Sequence, residues 1–176
     1  MLLDTLRFIH LTLDTALKHT FKSRDAMISI AGVTSTTSKT PLRLSLVNID
    51  AEHTQHVAIS RQRSGSSTPT HKKLFVLISA NPELSYDEGI RYLEEAMAWF
   101  ESHEVFSQQT YVNLPKHIER ITTEAYSQTL EGQSVLWQGL GAAYQPSVVY
   151  QLRVVVAADI GVTPAVSIEG DREVME

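Results

Sequence analysis

His53 and His56 stand three residues apart, the spacing at which two imidazoles on one helical turn could share a metal ion. The segment around them reads as a strand running into a loop, and no third ligand follows at a standard spacing, so no metal site is expected. The other histidines, His10, His19, His71, His103 and His117, fall singly. Glu94-Glu95 and Asp87-Glu88 offer the paired carboxylates that acid–base chemistry needs. The first pair belongs to the charged side of an amphipathic helix, and the second to a helix's first turn, where acids favour the dipole. Gly139-Leu140-Gly141 ends a helix, whereas a dinucleotide fingerprint follows a strand and opens one. No Walker motif, Gly-x-Ser-x-Gly elbow or His-Glu-x-x-His occurs. An enzyme would have to assemble its triad from distant positions, and the expectation is a protein without catalysis, metal or cofactor.

Charge is the other signal. Arg61, Arg63, Lys72 and Lys73 lie in and beside a polar stretch at 54–71, and no acid occurs between Glu52 and Glu83. The stretch reads either as a solvated hairpin or as a docking loop for an acidic partner surface, such as the acidic tail of a neighbouring copy. Such a contact acts on rate and register more than on affinity. The 176 residues carry 15 Lys+Arg against 20 Asp+Glu, a net of −5. Residues 159–176 hold five acids against one base, a net of −4, which leaves −1 for the 158 residues before them. A nearly neutral body argues against sequence-independent nucleic-acid binding, which needs a concentrated positive surface.

The chain is one domain's worth, expected as residues 1–158 with an acidic tail at 159–176. A domain of this size removes about 70% of its unfolded surface from water and needs no staple. Zero cysteines exclude disulfides, thiolate metal sites and a Cys nucleophile. Asp4 and Arg7 interrupt the apolar N-terminus, so a signal peptide is not expected and a cytoplasmic setting is. The longest apolar runs, Leu74–Ile78 and Val154–Ala158, are five residues each, far from the ~20 that span a bilayer, so no membrane insertion is expected.

The elements follow from periodicity. Leu2, Leu6, Ile9, Leu13, Ala16 and Leu17 recur at helical steps, while Leu3, Phe8 and Leu11 widen the stripe. That width suits contact with a second surface, such as a neighbouring subunit, as well as burial by the helix's own sheet. Met27–Val33 is a weak strand, 42–50 alternates as a clear one, and Leu74–Ile78 is a strand buried on both faces. Ser85 opens a capping box for a helix whose stripe reads Ile90, Leu93, Met97 and Phe100, with Ala96 and Trp99 beside it. A strand over 118–126 looks suited to an exposed edge. Thr129 caps a third helix stopped by Gly141, and 148–157 is the final strand. The order predicts an α+β fold, a mixed β-sheet flanked by helices. Trp137 and Tyr150 are expected as core residues with no ligand role.

Three stretches carry a resemblance: Leu44-Ser45-Leu46-Val47-Asn48-Ile49, Leu74 to Asn81 leading into Tyr86 to Leu93, and above all Leu136 to Tyr150. The last holds Trp137, Leu140, Gly141, Tyr144, Pro146 and Tyr150 in a Leu-Trp-x-x-Leu-Gly-x-x-Tyr-x-Pro-Ser-Val-Val-Tyr run. In their order, from about residue 2 to 158, the chain resembles the tail-terminator or cap family of phage-tail-like contractile injection systems. Gly132 and Gly139 depart from the family pattern, as does the absence of a long extension after the core. Gly139 is expected to allow a close backbone approach. The resemblance implies a tail-terminator-like domain that assembles as a homohexameric ring on the distal end of the inner tube and sheath, ending polymerisation and fixing length. Its implied partners are itself, the tube protein and the sheath protein. It would assemble in the cytoplasm and then become part of the particle. An adaptor at the baseplate or sheath of such a particle is the alternative.

Overall fold

Helix α1 forms over Leu2–Phe21 in the computed structural model, which describes residues 1–35, 39–52 and 70–157. Leu6, Phe8, Ile9, Leu13 and Leu17 turn inward and are buried, and full burial of such a side chain stabilises by about 1.5–3 kcal/mol. Leu3 and Leu11 stay outside, 49% and 58% exposed. The wide stripe is therefore divided: Phe8 joins the core, and two leucines remain on the surface. Lys22, left-handed at φ 51°, ends the helix.

The remaining elements are β1 (Ile28–Ile30), β2 (Leu42–Glu52), β3 (Thr70–Ala80), α2 (Tyr86–Ser102), β4 (Val105–Ser107), β5 (Ile118–Ala125), α3 (Leu130–Gly139) and β6 (Ser147–Val156). The six strands form one sheet in the order β1-β2-β3-β6-β5-β4. Only β1 and β2 run parallel; the other neighbours are antiparallel, so the sheet is mixed and the fold α+β. The register shifts at Leu46/Asn48 and at Ile118/Arg120, the irregularities that bend a strand and increase its twist.

β3 is central because it reads apolar on both faces. It begins earlier than the polar stretch suggests, with Thr70 and His71 paired to Val156 and Val155, so the stretch does not run to residue 71 as a loop. β5 is not an edge strand, since it lies between β6 and β4. An antiparallel strand needs only one apolar face: Ile121 and Thr123 turn into the core while Arg120 and Glu124 turn to water, a pattern that mimics an edge.

Helices α1 and α2 cover the face that carries Leu42, Leu44, Leu74, Val76, Ile78, Tyr150, Leu152 and Val154. Helix α3 covers part of the other, where Trp137 packs with Leu77 and Val149. The buried side of α2 is Gly89, Leu93, Ala96, Trp99 and Phe100, while Ile90 and Met97 are exposed. The expected stripe is thus rotated. Gly89 lies so close to β3 that an added Cβ would stand 3.1 Å from the Ala80 Cβ. Farther along, the Phe100 ring stacks on Tyr150 at 4.0 Å and Trp99 lies 5.7 Å from Phe106, contacts that favour this rotation.

Candidate functional site

The run from Trp137 to Tyr150 stops a helix and returns the chain to the sheet. Thr129 caps α3 by accepting the Gly132 N–H at 3.1 Å. A Cβ on Gly132 would sit 3.3 Å from that same hydroxyl oxygen, which accounts for a glycine in the first turn. At the other end the Gly141 N–H donates to the Gln138 carbonyl and the Ala142 N–H to the Trp137 carbonyl, at 3.0 and 3.3 Å. With Gly141 at φ 66°, this is a Schellman stop. Tyr144 then sets its ring edge-on to Trp137 at 5.8 Å, and the Pro146 carbonyl accepts from the Ala80 N–H at 2.9 Å. β6 begins one residue later and carries Tyr150 into the core. Leu140 packs half-buried against the Trp137 cluster. The expected close approach at Gly139 is not found: nothing lies within 4 Å of the position of its Cβ.

Around this run the surface is apolar and open. Trp137 is 3% exposed, and its indole N–H has no acceptor among the described residues. It borders a cleft of about 510 Å³ with Leu130, Gln133, Ser134, Gln138, Ala142 and Tyr144. Leu130 is 86% exposed, and Val135 and Tyr144 also face outward. Together with Leu3 and Leu11 on α1, these are the large apolar side chains that the two helices leave uncovered.

The basic residues expected to act together do not form one patch among the described residues. Arg61 and Arg63 lie outside the described residues, as do His53, His56 and the tail at 159–176. Lys72 and Lys73 belong to β3, where consecutive side chains face opposite sides of the sheet. Lys72 stands in register between Ala51 and Val154, and Lys73 between Asp50 and Arg153.

Two buried charges carry no local signature in sequence. Asp14 accepts the Met27 and Ile28 N–H groups at 2.7 and 3.3 Å and pairs with Lys18 at 2.7 Å, tying α1 to the start of β1. Burial alone would raise its carboxyl, but Lys18 and the two backbone donors outweigh that and hold it below the ordinary value. Arg43, on the face of β2 away from α1 and α2, reaches the Val33 carbonyl at 3.1 Å and the Asn81 side-chain oxygen at 3.4 Å. Asn81 in turn donates to the Thr40 carbonyl, so the two side chains join the β1–β2 connection to the end of β3.

A second groove, of about 370 Å³, opens between the end of α2 and the outer edge of β5. Glu101 and Glu104 line it beside Tyr150, whose hydroxyl is pushed up to about 12 by burial and by the Glu101 charge, while Glu124 borders it from β5 with its side chain on the opposite face of the sheet.

Among the described residues no group of three or more His, Cys, Asp or Glu could hold a metal ion. His10 is engaged with the Ile28 carbonyl at 2.9 Å, His103 with the Trp99 carbonyl at 2.8 Å, and His117 lies 3.3 Å from Asp4. No described helix is long and apolar enough to cross a membrane.

Curated protein sequences include no match. Among solved structures, the fold is similar to the sheath/tube terminator of PVC, an extracellular contractile injection system, seen by cryo-EM in the extended state. The TM-score is 0.51 at 14% identity, over 96% of this chain and 64% of that one. It is also similar to the tube-terminating cap of the anti-feeding prophage, with a TM-score of 0.53 at 16% identity over 92% of this chain and 60% of that one. The chain thus spans less than two thirds of either structure's length. In sequence, the profile of the Pvc16 N-terminal domain matches residues 9–167, from within α1 through β6, and the chain belongs to the Pvc16 N-terminal domain family.

Proposed function

We propose that this chain caps the inner tube and sheath of a contractile injection system, ending their polymerisation and fixing particle length. The observation that carries this reading is the likeness, over nearly the whole chain, to two proteins described as terminators of such a tube. A tube is a stack of rings with an open end. Its terminator must present one face complementary to the last ring and another that accepts no further ring. A homohexameric ring of this domain, with the tube and sheath proteins as its partners, meets that requirement without catalysis or cofactor. Nucleic acid and membrane have no part in it. The ring is assembled in the cytoplasm and leaves as part of the particle.

The surfaces available for the ring are apolar at Leu3, Leu11, Leu130, Val135 and Tyr144. Register is set by charge, through Arg61, Arg63, Lys72 and Lys73 and the acidic tail at 159–176. Deleting the protein is expected to leave tube and sheath irregular, overlong or unstable, as measured from particle lengths in electron micrographs. A normal length distribution, or a label on the protein found at the baseplate end, would count against a terminator and for an adaptor.

A further inference from the structure

We propose that helix α1 of one copy packs against helix α2 of the next, with Leu3, Arg7 and Leu11 lying along Ile90, Glu94 and Met97. The inference rests on the ring reading and names one contact within the ring. The rotation that buries Gly89, Leu93, Ala96, Trp99 and Phe100 leaves α2 with a second apolar stripe outside the fold. Tyr86, Ile90 and Met97 are 72%, 38% and 37% exposed, and Glu94 stands between the last two. On α1 the two exposed leucines flank Arg7 in the same way. Neither Arg7 nor Glu94 has an ion-pair partner among the described residues. Asp4, itself paired with the N-terminal amine, feels Arg7 only as the smallest of several influences.

The two lines match in pattern, length and charge. Helical residues three and four apart share a face, so each line reads apolar, charged, apolar. At 1.5 Å per residue the two leucines stand about 12 Å apart along the axis, and Ile90 and Met97 about 10.5 Å. Because the charge is central in both lines, Arg7 meets Glu94 whether the helices run parallel or antiparallel. Apolar side chains then close over the ion pair on both sides, where it is screened less than on an open surface. The pair also sets register, since a slip of one turn places each charge against an apolar side chain.

The occupant is a neighbour because the chain's own α1 already lies on the other flank of α2. Phe21 sets its ring against Tyr92 at 4.7 Å, and the Thr20 hydroxyl donates to Glu95 at 3.3 Å. Tyr92 and Glu95 lie roughly 130–170° round α2 from the centre of the Ile90–Met97 line, and Thr20 lies roughly 140–180° round α1 from Arg7 and Leu11. Within one molecule the two lines therefore look away from each other and cannot meet. Between molecules they are unlike surfaces, so the contact is heterologous. Each copy gives α1 to one neighbour and α2 to the other, the arrangement that closes into a ring.

The test uses the full chain, in which Arg7→Glu, Glu94→Arg and the double variant are compared by analytical ultracentrifugation. Circular dichroism and urea midpoint verify that each folds as wild type, as substitution at two exposed positions should allow. Each single reversal is expected to weaken association by about tenfold or more, and the double variant to recover it, because opposite charges again face each other across the contact. The two positions do not touch within one molecule, so recovery reports a contact between copies. The chain contains no cysteine, which gives a second measurement free of background. Arg7→Cys with Glu94→Cys in one chain should yield a ladder of covalent multimers on oxidation, and either substitution alone should yield none. Should Arg7→Glu perturb folding beside Asp4, the cysteine pair decides. Association unchanged in both single reversals, no recovery in the double variant, or covalent dimers from Arg7→Cys alone would overturn this contact while leaving the ring reading intact. So would single reversals that keep the ring and lose tube or sheath binding, since α2 would then face another protein. A wild type that stays monomeric at every concentration would overturn the ring reading itself.

Discussion

Trp137 anchors α3 to the second face of the sheet: among the described residues Leu77 and Val149 are the other buried members of its cluster, with Leu136, Leu140, Phe75 and others half-buried around them. Removing the indole leaves a cavity that the sheet cannot close. Trp137→Ala should therefore cost about 3–5 kcal/mol in urea unfolding, a large share of a domain's stability. A variant of unchanged stability would mean that α3 is peripheral to the fold. Asp14 gives a prediction in pH. Its carboxyl is lowered in the folded protein, so its contribution is complete above the unfolded value near pH 4 and is lost as pH falls through the folded value. Asp14→Ala should destabilise at neutral pH by about 1–3 kcal/mol, because two buried N–H groups lose their acceptor, and it should flatten the acid limb of the stability profile. Thermal unfolding of both proteins from neutral pH to pH 3 checks the sign. Trp137 could be singled out from sequence because its neighbours form a continuous pattern. Asp14 and Arg43 could not, because their partners at Met27 and Ile28, and at Val33 and Asn81, are brought to them only by folding.

The glycines of α3 separate by backbone geometry. Gly139 is helical with open space where a Cβ would stand, whereas Gly141 holds φ 66° to close the helix. Gly139→Ala should raise stability by roughly 0.5–1 kcal/mol through helix propensity, and Gly141→Ala should lower it by about 1 kcal/mol. Equal effects in urea titrations would contradict the Schellman stop. Helix α1 and the Ser85 cap were legible because both are local: a stripe at steps of three and four, and a hydroxyl that accepts the Glu88 N–H three residues on. The rotation of α2 was not. Its two candidate stripes differ by less than one residue of helical turn, and Gly89 against Ala80 favours one over the other only once β3 is in place. The place of β5 inside the sheet was hidden for a similar reason, since β4 is three residues long and announces nothing by itself. On α1, Leu3→Asp with Leu11→Asp should lower the melting temperature only modestly, because both side chains are already about half exposed, and should weaken self-association measured by sedimentation.

At the scale of the whole molecule the described residues form one sheet with two helices on one face and one short helix on the other. Such an arrangement exposes different chemistry on its different sides: apolar residues along α1 and around α3, carboxylates beside β5. Heterologous contacts between unlike sides close into a ring when the rotation allows. The family could be read from the order of three stretches in the sequence, while the surfaces that would meet in a ring could not, because each draws on elements far apart in the chain. The most direct measurement adds the purified protein, well below one copy per tube subunit, to tube protein polymerising in vitro and follows length by electron microscopy. Capping predicts that elongation stops early, that tubes are short and narrowly distributed, and that the protein sits at one end. Tubes of unchanged length, or protein bound all along their sides, would contradict it.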